Sequence, residues 1–341
     1  MGSSATRGRS PPSNSLTQHC GSAMIWAMLK VFSDPRCLLH RVPEGYPENA
    51  ERLETILDLL SELQVEVDEP GEHEGFESAV AAVHSAGYLS RFSTTVKRGE
   101  LFLDTPDNPL CESTWEAARA AVDTTLAAAD WVAGDSGRRG MSAVRPPGHH
   151  AERDGAMGFC YFNNIAVAAE YLRREKGAER VAIVDFDVHH GNGTQHIFEG
   201  DQEVLYLSTH RYPFYPGTGA ADERGTGVGE GATINVPLPA GAGDVAFQAA
   251  FQSVLMPSLR EFRPEILLIS AGFDAWQSDP LGGMRVSEQG YRDWGHWLGS
   301  VAEDICGGRC LVLLEGGYDV DSLPGLLWTH LQALDGQVTG S

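Results

Sequence analysis

The sequence predicts an α/β fold of three layers: one mostly parallel central sheet flanked by helices, with its functional residues beyond the C-terminal ends of the strands. Three observations carry that prediction. Apolar runs of strand length recur along the chain, and several are continuous rather than alternating, as in strands buried on both faces. Helical patterns lie between them. Long loops rich in Gly and Pro follow several of the runs, and loops of that length inside a domain usually carry function.

The elements follow in order. Residues 1–27, which begin "MGSSATRGRSPPSNS", are polar and rich in Ser, Arg and Pro. The apolar stretch "AMIWAML" is too short and too late for a secretion signal, so these residues read as a disordered leader or a start-site extension. A single domain is expected over residues 28–341. Strands are expected at "LKVFS" (29–33), "MSAVR" (141–145), "RVAIVDF" (180–186), "EVLYLS" (203–208), "EILLIS" (265–270) and "RCLVLLE" (309–315). A helix is expected over 49–63, with Leu53, Ile56, Leu57 and Leu60 on one stripe and Asn49 as its cap. Further helices are expected near 115–133, 163–175, 244–261, 287–305 and 321–334.

Composition narrows the function. The chain has 47 acidic and 25 basic residues, a net charge of −22. Such a field repels phosphate backbones, which argues against direct nucleic-acid binding. No apolar run approaches the ~20 residues of a membrane span. Six cysteines are scattered without a CxxC pair, which fits reduced thiols in the cytoplasm. No GxSxG elbow and no GxxxxGK[ST] loop occurs, so neither a serine hydrolase nor a P-loop nucleotide site is expected.

The stretch "VAIVDFDVHHGNGTQ" (181–195) ends a buried-looking strand with Asp185, Asp187, His189 and His190. Buried charge costs several kcal/mol unless it is paired or bound. Other strand ends bring similar groups: His149 and His150 after "MSAVR", Asp274 after "EILLIS", Tyr318 after "RCLVLLE". Parallel strands deliver all of them to one rim. Asp187 and His189 are two apart, so both face one side of an extended segment, and Asp274 completes a three-ligand set that leaves a coordination position open. Two carboxylates and one imidazole suit Zn2+, with Fe2+, Co2+ and Mn2+ as alternatives. His149 and His150 can carry protons, and each needs an orienting acceptor; Asp185 and Asn192 are the candidates. Tyr318 follows Gly316 and Gly317, which would let its ring swing in and donate to an oxyanion.

The strings "RPPGHHA", "GFCYFNNIAVAA", "DFDVHHGNGTQHIF", "YPGTG", "AGFDAWQSDPLGG" and "LEGGYD", with "PEGYPENAERL" (43–53), resemble the zinc-dependent histone deacetylase and acetylpolyamine amidohydrolase superfamily. The likeness covers about residues 28–335 and implies an arginase-like fold. It implies one Zn2+ on Asp187, His189 and Asp274, with His149 as general base partnered by Asp185. His150 becomes the second tandem histidine and Tyr318 the carbonyl-polarising residue. Phe159 and Tyr215 become the walls of an acyl-lysine tunnel, with Gly158 beside them. A structural K+ is implied near Ser208 and the backbone carbonyls of Asp185, Asp187 and His189. Asn192 stands where class I members have aspartate, so the chain resembles class II and bacterial amidohydrolases. Leu281 stands where a polyamine-specific relative has a glutamate, which favours an acyl-lysine peptide or protein over a polyamine. A small N-acyl amine such as an acetylpolyamine is the alternative substrate. Asp104 and Asp107 are candidates for a lip residue, and a homo-oligomer is compatible with the sequence.

Overall fold

Eight strands pair into one sheet in the order β2-β1-β3-β8-β7-β4-β5-β6, and every pairing is parallel. They are β1 (Leu29–Phe32), β2 (Val67–Asp68), β3 (Arg139–Ser142), β4 (Val181–Asp185), β5 (Val204–Arg211), β6 (Thr233–Leu238), β7 (Ile266–Ala271) and β8 (Cys310–Leu314). The computed structural model describes residues 29–336; the leader expected at 1–27 and both ends of the expected 28–341 domain lie outside the described residues. The chain leaves β3, crosses to β4, runs outward to β6, then returns to fill the gap with β7 and β8. That reversal opens a crevice beyond the C-terminal ends of the central strands, where α/β folds bind ligands.

The helices are α1 (Glu51–Glu62), α2 (Phe76–Val83), α3 (Ala86–Lys97), α4 (Thr114–Val132), α5 (Asn164–Arg174), α6 (Asn192–Phe198), α7 (Asp244–Ala250), α8 (Met256–Phe262), α9 (Glu288–Cys306) and α10 (Leu323–Leu334). The strands read as unbroken apolar runs because each face has its own core. Ala182, Val184, Leu267, Ile269, Val312 and Leu314 pack on one face with residues of α1 and α7 to α10. Val181, Ile183, Ile266, Leu268, Leu311 and Leu313 pack on the other with residues of α2 to α5. The period-2 alternation is thus present in the packing although both sets are apolar.

Several boundaries differ from the sequence expectation. The strand expected at 141–145 runs over Arg139–Ser142. Its polar first residue hides it, since Arg139 sits at a sheet end and pairs with Glu303 and Asp335. Arg145 is drawn out of the strand instead, into a buried pair with Glu48. β6 was not expected: Asn235 and Pro237 interrupt its pattern, and both are tolerated because β6 is an edge strand. The helix expected at 244–261 is α7 and α8 joined through a π-helical turn at Phe251–Leu255. Helices α2, α3 and α6 were not expected either, although Phe76, Ala79, Val80 and Val83 follow a helical stripe. Asn49 acts one step early, its side chain accepting the Glu51 N–H at 3.0 Å. No helix among the described residues is long and apolar enough to cross a membrane.

Candidate active site

Strands β3, β8, β7 and β4 are adjacent at the centre of the sheet. The loops that leave their C-terminal ends therefore meet, and they carry the residues singled out above. Asp185 is the last residue of β4, and Asp187 and His189 follow it. Asp274 follows β7, His149 and His150 follow β3, and Tyr318 follows β8.

Asp187, His189 and Asp274 offer ligand atoms that all lie within 4.8 Å of one another. His189 Nδ1 is 3.1 Å from Asp187 Oδ1 and 3.1 Å from Asp274 Oδ2. One ring proton cannot serve both oxygens, and Asp274 Oδ2 is buried without a hydrogen bond. The remaining carboxylate oxygens are turned by backbone donors: Val188 N–H to Asp274 Oδ1 at 2.9 Å and Gly316 N–H to Asp187 Oδ2 at 2.8 Å. Two converging carboxylates beside a neutral imidazole lack two positive charges, and one of their oxygens is orphaned, which fits a divalent cation. Gly316 is part of the cradle: a Cβ there would lie 2.3 Å from Asp274 Oδ2 and 2.6 Å from Asp187 Oδ2. Close approach, rather than a swinging Tyr318, is what this glycine serves.

Electrostatics agree with that reading. Burial raises the Asp187 carboxyl, but His149 and His189 outweigh it and hold it well below the carboxylate range. Burial and the Asp187 charge push Asp274 up. Burial lowers His189, yet the two carboxylates carry it to about 9.

The tandem histidines stand beside this cluster with ring centroids 4.0 Å apart. His149 Nδ1 is 3.0 Å from Asp185 Oδ2, and the Tyr206 hydroxyl donates to the same oxygen at 3.1 Å. His150 Nδ1 is 2.7 Å from Asn192 Oδ1. The two environments push the rings apart in basicity. Burial lowers His149, but Asp185, Asp187 and Glu315 raise it to about 10. Burial, His149 and His189 lower His150 well below the usual value.

A cavity of about 210 Å3 leads to these groups and is lined by Phe159, Tyr215, Leu281, Tyr318, Gly158 and Asp107, among others. Phe159 adopts φ +68°, a left-handed conformation that costs a non-glycine residue about 1–3 kcal/mol and clusters at functional sites. Gly158 before it has φ +57°, and a Cβ there would lie 2.3 Å from His150 Cδ2. Tyr318 packs edge-on to Phe159 at 6.0 Å, with the Arg52 guanidinium 5.0 Å from its ring. Its N–H donates to Asp279 Oδ2 at 2.7 Å. Of the two lip candidates, Asp107 lines the cavity and accepts from the Tyr215 hydroxyl at 2.8 Å and the Gly158 N–H at 3.1 Å. Asp104 is turned away to Arg91 and the Ala156 N–H.

Three acidic groups escaped the sequence reading. Glu315 is buried, accepts the Gly148 and His149 N–H groups on Oε2 and the Ser270 hydroxyl on Oε1, and is raised to about 7 by burial. Its signal was in "LLEGG", a charge at a strand end like the one in "VDFDVHH". Glu48, inside the string "PEGYPENAERL", anchors Arg145 and Arg52, and Glu152 bonds Asn192; the chain near each gave no sign of these partners.

The histone deacetylase domain model matches residues 46–334. The chain belongs to the histone deacetylase family. Among relatives of this deacetylase-family chain, histone deacetylase 10, chloroplastic, of Oryza sativa subsp. japonica is 39% identical over 314 residues, covering 86% of this chain and 70% of that protein. The solved HDA15 HD domain superposes with a TM-score of 0.84 at 39% identity, covering 92% of this chain and 89% of the other. The crystal structure of an acetylpolyamine aminohydrolase from Burkholderia pseudomallei gives a TM-score of 0.81 at 33% identity, covering 91% of this chain and 99% of that one. The expected α/β architecture is therefore the family's, and the chain is a hydrolase of amide bonds.

Proposed function

We propose that this deacetylase-family hydrolase removes acetyl or other acyl groups from the side-chain amine of acyl-lysine in peptides or proteins. The observation that carries the reading is the three-donor cluster beside paired histidines at the end of an aromatic-walled cavity. Asp187, His189 and Asp274 would hold one Zn2+. When bound, it supplies Lewis acidity toward the acyl carbonyl and lowers the pKa of water.

The chain's own groups do the rest. Phe159 and Tyr215 receive the alkyl chain. His149 takes the proton of the attacking water at Nε2 while Asp185 holds Nδ1. Asp185, Asp187 and Glu315 favour the imidazolium there, so positive charge at the Asp187–Asp274 carboxylates is needed to free His149 as a base. His150 carries the proton for the leaving amine. The Tyr318 hydroxyl donates to the developing oxyanion. A structural K+ is proposed near Ser208 and the carbonyls around Asp185, and a cytoplasmic location fits the free thiols of the described cysteines.

Leu281, 37% exposed at the cavity, supports acyl-lysine over a second cation. The second reading, an acetylpolyamine deacetylase, is favoured by the Asp107 carboxylate at the same cavity. The test is paired turnover of an acetyl-lysine peptide and N-acetylputrescine by the zinc-loaded protein, with and without chelator. Faster peptide turnover, abolished by chelator, is expected. Faster N-acetylputrescine turnover would select the second reading, and no turnover of either would overturn both.

A further inference from the structure

His150 and Asn192 form only part of a longer chain of contacts. Asn192 Nδ2 donates to Glu152 Oε1 at 2.5 Å. The same nitrogen faces the His150 carbonyl oxygen and the Met157 sulfur, each at 3.4 Å. The exposed His196 meets Glu152 Oε1 with Nδ1 at 2.8 Å. Every group around the nitrogen end of the Asn192 amide is thus an acceptor. Turning the amide over would set its oxygen 2.5 Å from a carboxylate oxygen, so its orientation is decided by Glu152.

That orientation has a chemical consequence. A carboxamide oxygen only accepts, so the His150 nitrogen 2.7 Å from it must carry a proton. In neutral His150 the other nitrogen, Nε2, is then bare. An asparagine cannot impose this by itself, because its two ends are nearly the same size and either would fit against a ring nitrogen. An aspartate at 192 would do so unaided, since both its oxygens accept.

We propose that Glu152 is a positioning residue: it locks Asn192 so that His150 is held as the Nδ1–H tautomer with Nε2 free to accept a proton. What His150 does with that proton rests on the amide-hydrolase reading above; the tautomer itself does not.

The test reads both, separately. In zinc-loaded, 15N-histidine-labelled protein, long-range 1H–15N correlation reports which ring nitrogen is protonated, with His150 assigned from a His150→Gln variant. Nδ1–H is expected in the wild type, whereas in Glu152→Gln, whose amide can turn over together with that of Asn192, a share of the Nε2–H form is expected. In Glu152→Ala the Nε2–H form should appear, with kcat lowered ~10–100-fold, the usual cost of losing an orienting partner, and KM within ~3-fold. Adding Asn192→Asp to Glu152→Ala should restore the Nδ1–H form and most of kcat. Should Glu152→Ala alone fail to fold, Glu152→Gln, which keeps the size of the side chain, carries the test: its Nε2–H share supports the lock and an unchanged tautomer overturns it. An Nε2–H His150 in the wild type overturns the proposal. So does a Glu152→Ala protein with unchanged tautomer, or a double variant that stays in the Nε2–H form. Loss of the tautomer without any amide turnover in the wild type would sink the hydrolase reading and leave the positioning role standing.

Discussion

Replacing Glu48 by Gln tests the support beneath the site. Glu48, Arg145 and Arg52 are each at most 1% exposed. The Glu48 carboxylate receives Arg145 Nε and Nη2, each at 2.9 Å, and Arg52 Nη1 at 3.2 Å. Burial raises its carboxyl, but the two guanidinium groups overcome that and hold it below the usual value. Gln keeps the shape and one accepting oxygen. It removes the only charge in this trio that balances the guanidinium groups, and it turns an NH2 toward an arginine donor. Breaking one side of a buried pair costs about 3–5 kcal/mol. For a chain of 341 residues that is a fall in Tm of about 4–7 °C. Guanidinium stays charged throughout, so the loss should be the same from pH 6 to pH 9. Activity should fall too, because Arg52 donates to the carbonyls of Gly317 at 2.6 Å and Glu315 at 2.5 Å, directly before Tyr318. Scanning calorimetry of wild type and Glu48→Gln, with and without zinc, measures the effect. A drop of less than ~2 °C would show that the buried charges are relieved by something other than Glu48.

Further outcomes follow from the same contacts. Tyr318→Phe should lower kcat by about 10²–10³, the worth of one oxyanion donor, with folding stability nearly unchanged; a loss below ~10-fold would remove Tyr318 from the chemistry. Asp274→Asn should abolish turnover yet stabilise the cation-free protein, since burial and Asp187 disfavour the Asp274 charge; denaturant midpoints with and without zinc decide this. Buried His40, His84 and His330 are each lowered from 6.5 to about 4 by burial, so the unfolded chain binds more protons between those values. Their contribution is therefore complete above pH 6.5 and is lost as pH falls toward 4, with a slope of up to ~4 kcal/mol per pH unit if all three titrate together. Ring resonances of any of the three that titrate near pH 6.5 in the folded protein, followed by NMR, would refute it. His189, raised to about 9 by its carboxylates, must shed its proton to bind a cation, so zinc affinity should rise about tenfold per pH unit below that value, as read by competition with a chelator.

What was legible in the sequence was what neighbours in the chain do together. Asp185, at the end of β4, and Asp187 and His189, in the loop that follows, are near neighbours in the chain, and the cost of burying their charge announces a function before any contact is known. The buried strands were readable for the same reason: continuous apolar runs have few alternatives to a two-faced sheet. Pairings across long separations were not legible. Arg145 and Glu48 are 97 residues apart, and Tyr215 and Asp107 are 108 apart. Arg145 looked like the end of a strand because nothing nearby says that its charge goes to a loop near α1. Pro237 concealed β6, since a proline argues against a strand unless the strand is known to lie at an edge. Glu152 was hidden inside "PPGHHAERDGA", where an acidic loop residue is unremarked until Asn192 is placed against it.

The charges at this rim are best understood as one balance. Asp185, Asp187, Asp274, Glu315 and Glu48 are all buried, and their fixed counter-charges are Arg52 and Arg145. Two guanidiniums cannot balance five carboxylates. In the cation-free chain the deficit is met by protons: His149 and His189 are both driven toward the imidazolium, and Asp274 and Glu315 toward the neutral acid. The two protonated histidines are unsuited to their proposed tasks, because an imidazolium neither ligates nor accepts a proton. A divalent cation at Asp187, His189 and Asp274 would set four positive charges against the five carboxylates, leaving one proton to be held, for which Glu315, raised to about 7, is suited. On the proposed reading, the charge that would complete the site would also return His149 to the basic form, so the excess of acid at this rim and the need for a base beside it have one physical cause.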